Sequence, residues 1–474
     1  MGGRIASVKI DRVQVPAIRD LRSRLLKRCV AGSLFLMVGL LPLGARAQIT
    51  SPLLPLLPSP PLPTVPTQPA AAPAPPAYAG ETVTSRIRPE FNPIGVRVGD
   101  FFWFPRGELD EAYNSNIFAT PSSPTHDFIT GVLPSFDLLS IFPRNALNFH
   151  GSSALQFYTH NGTQNTQDAF LSTDGRLDVT AGSSFYGNAQ ATHQHISYGS
   201  PNSPGNIAQP VTYWTYTARG GYAQGGRRFS WGVEAGSTSA QYNGVPLVGG
   251  GVLPQSTADA TFSDVAVNAS YEIIPDYLGY ARFDAGLFDY WHTSPGGLRP
   301  NSKVYRADVG LQILPRHIIY GQVYVGYLVQ NFDQSSLGSF HYPDFGGRLV
   351  WNVTPLNTLT FNGLRTFVQG GSSNPSVGIT GPAGNGYLAT TVQAVADHEL
   401  LRNLLLNVNG SYENDTFQGI SRTDNVFTAG AGVTYLVNRH LFLGGSFSYQ
   451  RRNSTFSGSS YTQDVLLLRV GTQL

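Results

Sequence analysis

Cysteine occurs once in the 474 residues, at Cys29, and lysine occurs only once beyond residue 47, at Lys303. Cys29 falls in a segment that reads as a removable leader. The remainder is therefore expected to hold no disulfide, no cysteine-based metal site and no thiol nucleophile. After residue 47 no run of about 18 apolar residues is present, which excludes a membrane-spanning helix. The arrangements G-x-S-x-G, H-E-x-x-H, G-x-G-x-x-G and the phosphate-binding loop are also missing. A basic surface is lacking too. The leader takes nine of the 31 basic and two of the 29 acidic residues, which leaves 22 against 27 and a net charge of −5. Nucleic-acid binding loses its support, because phosphate contacts need basic surface.

The N-terminus has the layout of a secretory signal peptide. Arg19, Arg22, Arg24, Lys27 and Arg28 form a basic region, residues 29–44 an apolar one, and Ala45-Arg46-Ala47 a cleavage site before Gln48. An apolar stretch ending in Pro42 and Gly44 is short for a spanning anchor. Residues 48–80 follow, with prolines from Pro52 to Pro76. That density blocks helix and sheet ladders and favours extended polyproline II. The segment reads as a semi-rigid periplasmic linker or a docking segment. Residues 81–107 read as a lead-in, and 108–474 as one domain.

From about residue 100 onward, glycine (52 in the chain), tyrosine (23) and phenylalanine (27) accompany a period-2 pattern. In 302–314, Tyr305, Ala307, Val309, Leu311 and Ile313 oppose Arg306, Asp308, Gly310 and Gln312. Successive side chains of a strand take opposite faces, so each segment has one apolar and one polar surface. Short connections such as Ala181-Gly182, Pro275-Asp276 and Pro315-Arg316 alternate with longer polar ones, including Asn243–Ala258 and Gly371–Gly384. Counting from Leu474 backward predicts about eighteen strands, the first over 108–118 and the last over 461–474. Long strands, aromatics near their ends (Trp214, Trp231, Tyr290, Trp351) and a chain closing on its last strand favour an all-β, antiparallel up-and-down transmembrane barrel. The competing fold is a large soluble sandwich or propeller with its apolar faces turned inward, but soluble strands run to about 5–6 residues.

The last strand, Tyr461–Leu474, resembles the assembly signal of outer-membrane barrels, although Leu474 stands where an aromatic residue is usual. Glu108–Phe118 followed by Asp127–Ser140, with Asn114-Ser115-Asn116-Ile117-Phe118 and Pro134, resembles the opening of the putative outer-membrane β-barrel porin type 2 family. The resemblance covers roughly residues 100–474. It implies an outer-membrane barrel, some of whose relatives are associated with exopolysaccharide export, and it brings no catalytic residues.

His193 and His195 share one strand face and are the only candidate metal pair. Without a carboxylate or third histidine in the segment, they read as polar residues at a strand end. On strand phasing, Arg176, Arg219, Arg282, Arg306, Arg348 and Arg469 point into a lumen, as do Asp178, Glu234, Glu272, Asp284 and Asp308. The two signs nearly balance, whereas a charge-selective pore would show a ring of one sign. The i, i+2 pairs Arg176/Asp178, Arg282/Asp284 and Arg306/Asp308 either neutralise one another in the wall or line a passage. The expectation is an outer-membrane conduit for small solutes or secreted polysaccharide, with both termini periplasmic and no cofactor. Its expected partners are lipid and the barrel-assembly machinery, with periplasmic polysaccharide-export components as a further candidate. A structural or adhesive surface barrel and an outer-membrane hydrolase are the alternatives.

Overall fold

The computed structural model describes residues 80–294, 297, 299–368 and 386–474. The expected leader (1–47), all but the last residue of the proline-rich linker and the expected loop 371–384 lie outside the described residues. A short β1 (Val96–Val98) precedes β2 (Phe101–Asn114), β3 (Asp127–Ser140), β4 (Ala146–Tyr158), β5 (Thr166–Thr180), β6 (Ser183–Ile196), β7 (Val211–Gly225) and β8 (Phe229–Tyr242). A two-stranded flap follows, β9 (Val245–Pro246) with β10 (Val252–Leu253). The series resumes with β11 (Ala260–Ile274), β12 (Tyr277–Tyr290), β13 (Ser302–Ile313), β14 (Ile319–Phe332), β15 (Ser339–Thr354) and β16 (Asn357–Val368). It ends with β17 (Tyr387–Leu401), β18 (Leu404–Phe417), β19 (Thr423–Leu436), β20 (Leu441–Ser454) and β21 (Tyr461–Gln473).

Each long strand pairs antiparallel with the next, β8 passing directly to β11. β21 returns to β2, from Arg106 opposite Gln473 to Asn114 opposite Val465. That pairing closes an antiparallel barrel of 18 strands, as the sequence pattern predicted. Closure supplies every strand with two partners, a requirement where the surroundings offer no hydrogen bonds. At the level where β21 ends, β1 takes over its place, pairing Val98 with Phe101 and Val96 with Trp103.

The first barrel strand begins at Phe101, not at 108. Pro105 argued against a strand there, yet the strand pairs with β3 from Phe101 onward. Pro134 does leave a mark: the β3–β4 ladder has no pairs between Val132/Leu155 and Ser135/Ser152, because proline has no N–H to give.

One end of the barrel carries the short turns. Two of them need the left-handed backbone region: Gly182 has φ 94° and Asp276 φ 69°. A Cβ on Gly182 would also meet the Gly225 carbonyl oxygen at 2.8 Å. The other end carries the long connections, and Asn243–Ala258, expected as loop, contains the β9–β10 flap.

The faces divide as the alternation requires. Val265, Val309, Val325 and Leu468 are 50–62% exposed on the outside. Asp308, Glu234, Arg282 and Asp344 are buried on the inside. An apolar exterior around a charged interior is the inverse of a soluble sandwich and suits a lipid surround. Among the described residues no helix is long and apolar enough to cross a membrane. Inner tyrosines lie flat against glycines of the next strand: a Cβ on Gly221, Gly310 or Gly346 would fall 2.5–2.6 Å from the rings of Tyr186, Tyr280 and Tyr324. These glycines let large rings cover the wall instead of standing into the lumen.

Val325→Arg, at the middle of β14 on the outer face, is expected to cost about 2–4 kcal/mol in bilayer unfolding equilibria. Ser446→Arg, on the inner face of β20, is expected to leave stability nearly unchanged. Equal costs would contradict the assignment of faces.

Candidate functional site

The inner wall is built on arginines, most of them held by carboxylates. Arg219 on β7 bonds Glu234 on β8 at 2.8 Å and Asp264 on β11 at 2.7 Å. Arg282 bonds Asp284 at 2.7 Å and reaches Glu234 at 3.8 Å. Arg306 lies 2.7 Å from Asp308 and 2.6 Å from Asp344 on β15. Arg469 on β21 bridges to Glu108 and Asp110 on β2, both at 2.9 Å, across the closing seam. Arg176 pairs with Asp178 at 2.9 Å. The three i, i+2 pairs read from the sequence therefore form.

Two of the expected lumen residues stand apart. Glu272 accepts a hydrogen bond from the Asp276 backbone N–H at 3.1 Å, so it holds the β11–β12 turn. Arg348 is exposed, and among the described residues no carboxylate comes within the 4.0 Å of an ion pair. Sequence phasing missed Asp264, Asp344, Glu108 and Asp110, which share the wall, and so it drew the charges as nearly balanced. The structure corrects this: Arg219, Arg282 and Arg306, three guanidiniums, face five carboxylates, Glu234, Asp264, Asp284, Asp308 and Asp344. The alternation places Asp264 and Asp344 inside, but only register shows which arginine each one meets.

His150 lies between Asp137 (2.6 Å from Nδ1) and Asp174 (2.9 Å from Nε2). His193 meets Trp214 at a tilt of 44° with centroids 4.9 Å apart, and His195 bonds Asp168 at 2.9 Å. Among the described residues no group of three His, Cys, Asp or Glu is placed to hold a metal.

The long-loop end is narrowed from two sides. Ile207 and Val245 from the loops pack with Ile196, Val211, Tyr213 and Tyr242 of the inner face. The β6–β7 loop reaches toward β21, where the Tyr461 hydroxyl donates to the Gly199 carbonyl at 3.4 Å, and the Phe118 ring meets Tyr198 edge-on at 5.2 Å. The Tyr198 hydroxyl donates to Gln164 at 2.7 Å. Burial pushes that phenol up to about 12, so it stays a neutral donor. Opposite, the β15–β16 ladder stops at Gly346/Leu364, while β16 stays with β17 as far as Val368/Tyr387. This end of the hairpin leans inward. Phe367, 0% exposed, packs on Val304, Leu328 and Tyr342, inner-face residues of β13–β15.

The short-turn end carries a strap. Tyr320 donates to the Gly80 carbonyl at 3.2 Å, and the Val83 N–H to Thr358 at 3.0 Å. Glu399 receives Arg86 at 3.0 Å and Arg88 at 2.6 Å, and Arg88 also donates to the Val83 and Arg402 carbonyls. Arg439 donates to the Pro89 carbonyl at 2.9 Å and Gln473 to that of Phe91 at 3.3 Å. Residues 80–91 thus follow the inner rim from β14 round to β21.

Compared with known families, residues 88–474 match the one described as Putative beta-barrel porin 2. The chain belongs to that family. No match is found among curated proteins. Solved structures similar to this porin include the outer membrane protein OpdK from Pseudomonas aeruginosa, at 11% identity over 78% of this chain and 99% of that one, TM-score 0.42. OccK2 (OpdF) from the same organism has 11% identity over 80% and 98%, TM-score 0.42. A BenF-like porin from Pseudomonas fluorescens Pf-5 has 11% identity over 78% and 99%, TM-score 0.42. The family match places this porin in the bacterial outer membrane as a transport barrel. It takes in all 18 barrel strands and starts at the buried Arg88 of the strap.

In the porin, Glu399→Gln leaves two arginines without their buried counter-charge, which typically costs about 3–5 kcal/mol. The strap is expected to come loose, with new tryptic cleavage after Arg86 in the folded, detergent-solubilised protein. Unchanged protease resistance would show that this ion pair does not hold it.

Proposed function

We propose that the porin is a water-filled passage for small polar solutes, narrowed at each mouth by its own chain and without chemistry of its own. The supporting observation is the inner wall: water-exposed polar side chains such as Arg348, Asp137 and Ser446 on the face that encloses the lumen. Barrels of 16–18 strands are too wide for wall side chains to fill. Asn362–Gln393 and Asn409–Asn407 contacts add neutral hydrogen-bonding groups between the ion pairs, and the Asn407 amide donates to the Asp397 carboxylate. Packed loops and the inward hairpin at the long-loop end favour selection among solutes over free diffusion.

The short-turn end is the periplasmic one in this reading, as outer-membrane barrels keep short turns there. Both chain ends then face the periplasm, after cleavage before Gln48 and assembly by the barrel-insertion machinery. A second reading, export of a polysaccharide with periplasmic components, is favoured by the rim position of Gly80, the residue at which the proline-rich part of the sequence ends.

The mature protein in a planar bilayer is expected to give stepwise conductance. A silent barrel would support a structural or adhesive role instead. Loss of surface polysaccharide on deletion would favour export, and turnover of lipid esters would favour a hydrolase. N-terminal sequencing of the mature chain is expected to begin at Gln48.

A further inference from the structure

We infer that the passage discriminates by charge, admitting cations over anions of the same size. The inference rests on the conduit reading. It comes from the way the arginines are neutralised.

On β7–β15 the three guanidiniums of Arg219, Arg282 and Arg306 stand among Glu234, Asp264, Asp284, Asp308 and Asp344. All are ion-paired, yet the cluster keeps more negative than positive charge. On β3–β5 the single ring of His150 serves both Asp137 and Asp174. The Asp137 side chain is 56% exposed on the inner face and so meets the water of the lumen. Near the long-loop end Arg422 and Arg452 are both bonded to Asp424, at 2.6 and 3.0 Å. Asp415 beside them is 0% exposed, and neither of its oxygens has a hydrogen-bond partner among the described residues. Glu413, two residues away, accepts from the Thr391 hydroxyl at 3.0 Å. A carboxylate with no partner in a buried place calls for a counter-cation or a proton.

The opposing charges are fewer. Arg348 has no carboxylate within 4.0 Å among the described residues, and at the strap Arg86 and Arg88 are matched by Glu399 and Glu81. The Arg106, Arg469, Glu108 and Asp110 quartet is balanced, as is Arg176 with Asp178. Two separate acidic surpluses along the wall thus face the lone Arg348. Walls of low dielectric focus such a field into the lumen and concentrate counter-ions there. The effect reaches furthest when the screening length, about 10 Å at 0.1 M salt, lengthens on dilution.

The test is the reversal potential of the full mature protein in a planar bilayer under a dilute potassium chloride gradient. The expected potassium-over-chloride permeability ratio is about 3–10, falling as salt rises. Asp137→Asn with Asp284→Asn should lower it about twofold, and Arg348→Gln, at an exposed and unpaired site, should raise it by a similar factor. Retained heat-modifiable migration on gels shows that each variant is folded. A ratio at or below one, or a ratio unmoved by both sets of variants, overturns charge selection while leaving the conduit in place. No conductance in any salt overturns the conduit and this inference with it.

Discussion

A peptide group facing hydrocarbon can bond only to another peptide group, and the architecture follows from meeting that condition at every strand. The β2–β21 seam meets it for the two strands that would otherwise be edges. Where β21 ends, the short β1 continues the pairing along Phe101–Trp103. Once the sheet is closed, its period-2 alternation can no longer hide apolar side chains by stacking on a second layer. Val309, Val325 and Leu468 must face outward, and whatever is polar must share the inside.

The closed sheet hands its polar residues a problem of their own. Arg282, Asp308 and Glu234 are each at or below 6% exposure, and burying a charge without a partner is costly. Ion pairs that cross from strand to strand solve it: β7 with β8 and β11 through Arg219, β13 with β15 through Arg306, β2 with β21 through Arg469. The same contacts that satisfy the arginines also brace the wall against shear between strands. The mouths are shaped differently. At the long-loop end the contacts are apolar, with Phe367, Ile207 and Val245 filling space. At the short-turn end they are polar, with Arg88 and Glu399 fixing the strap.

Strand number, closure and facing were legible in the sequence, because alternation needs no knowledge of neighbours. The i, i+2 pairs such as Arg282/Asp284 were legible for the same reason, since both residues lie on one strand. Cross-strand partners were not. Asp264 and Asp344 carry the phase of the inner face, but their meeting with Arg219 and Arg306 depends on register, which local pattern does not fix. The charge tally therefore came out even where the wall is acidic. Residues 81–107 were read only as a lead-in, since they show no period-2 pattern over most of their length. The strap they contain has no regular repeat and is held by long-range contacts with β16, β17 and β21. Glu272 shows the converse limit: its face was read correctly, yet it serves a turn.

The near absence of lysine follows from this wall. A guanidinium is planar and carries five donors, so one side chain can bond carboxylates on two different strands. Arg219 does so with Glu234 and Asp264, Arg306 with Asp308 and Asp344. An ammonium is a compact, strongly hydrated point charge and would leave such a pair less well satisfied after burial. Lys303, the one lysine of the barrel, stands exposed on the outer face of β13, one residue from its long-loop end. There it needs no partner in the wall. The choice of arginine is thus set by burial between strands, where one planar guanidinium satisfies carboxylates that would otherwise be buried unpaired.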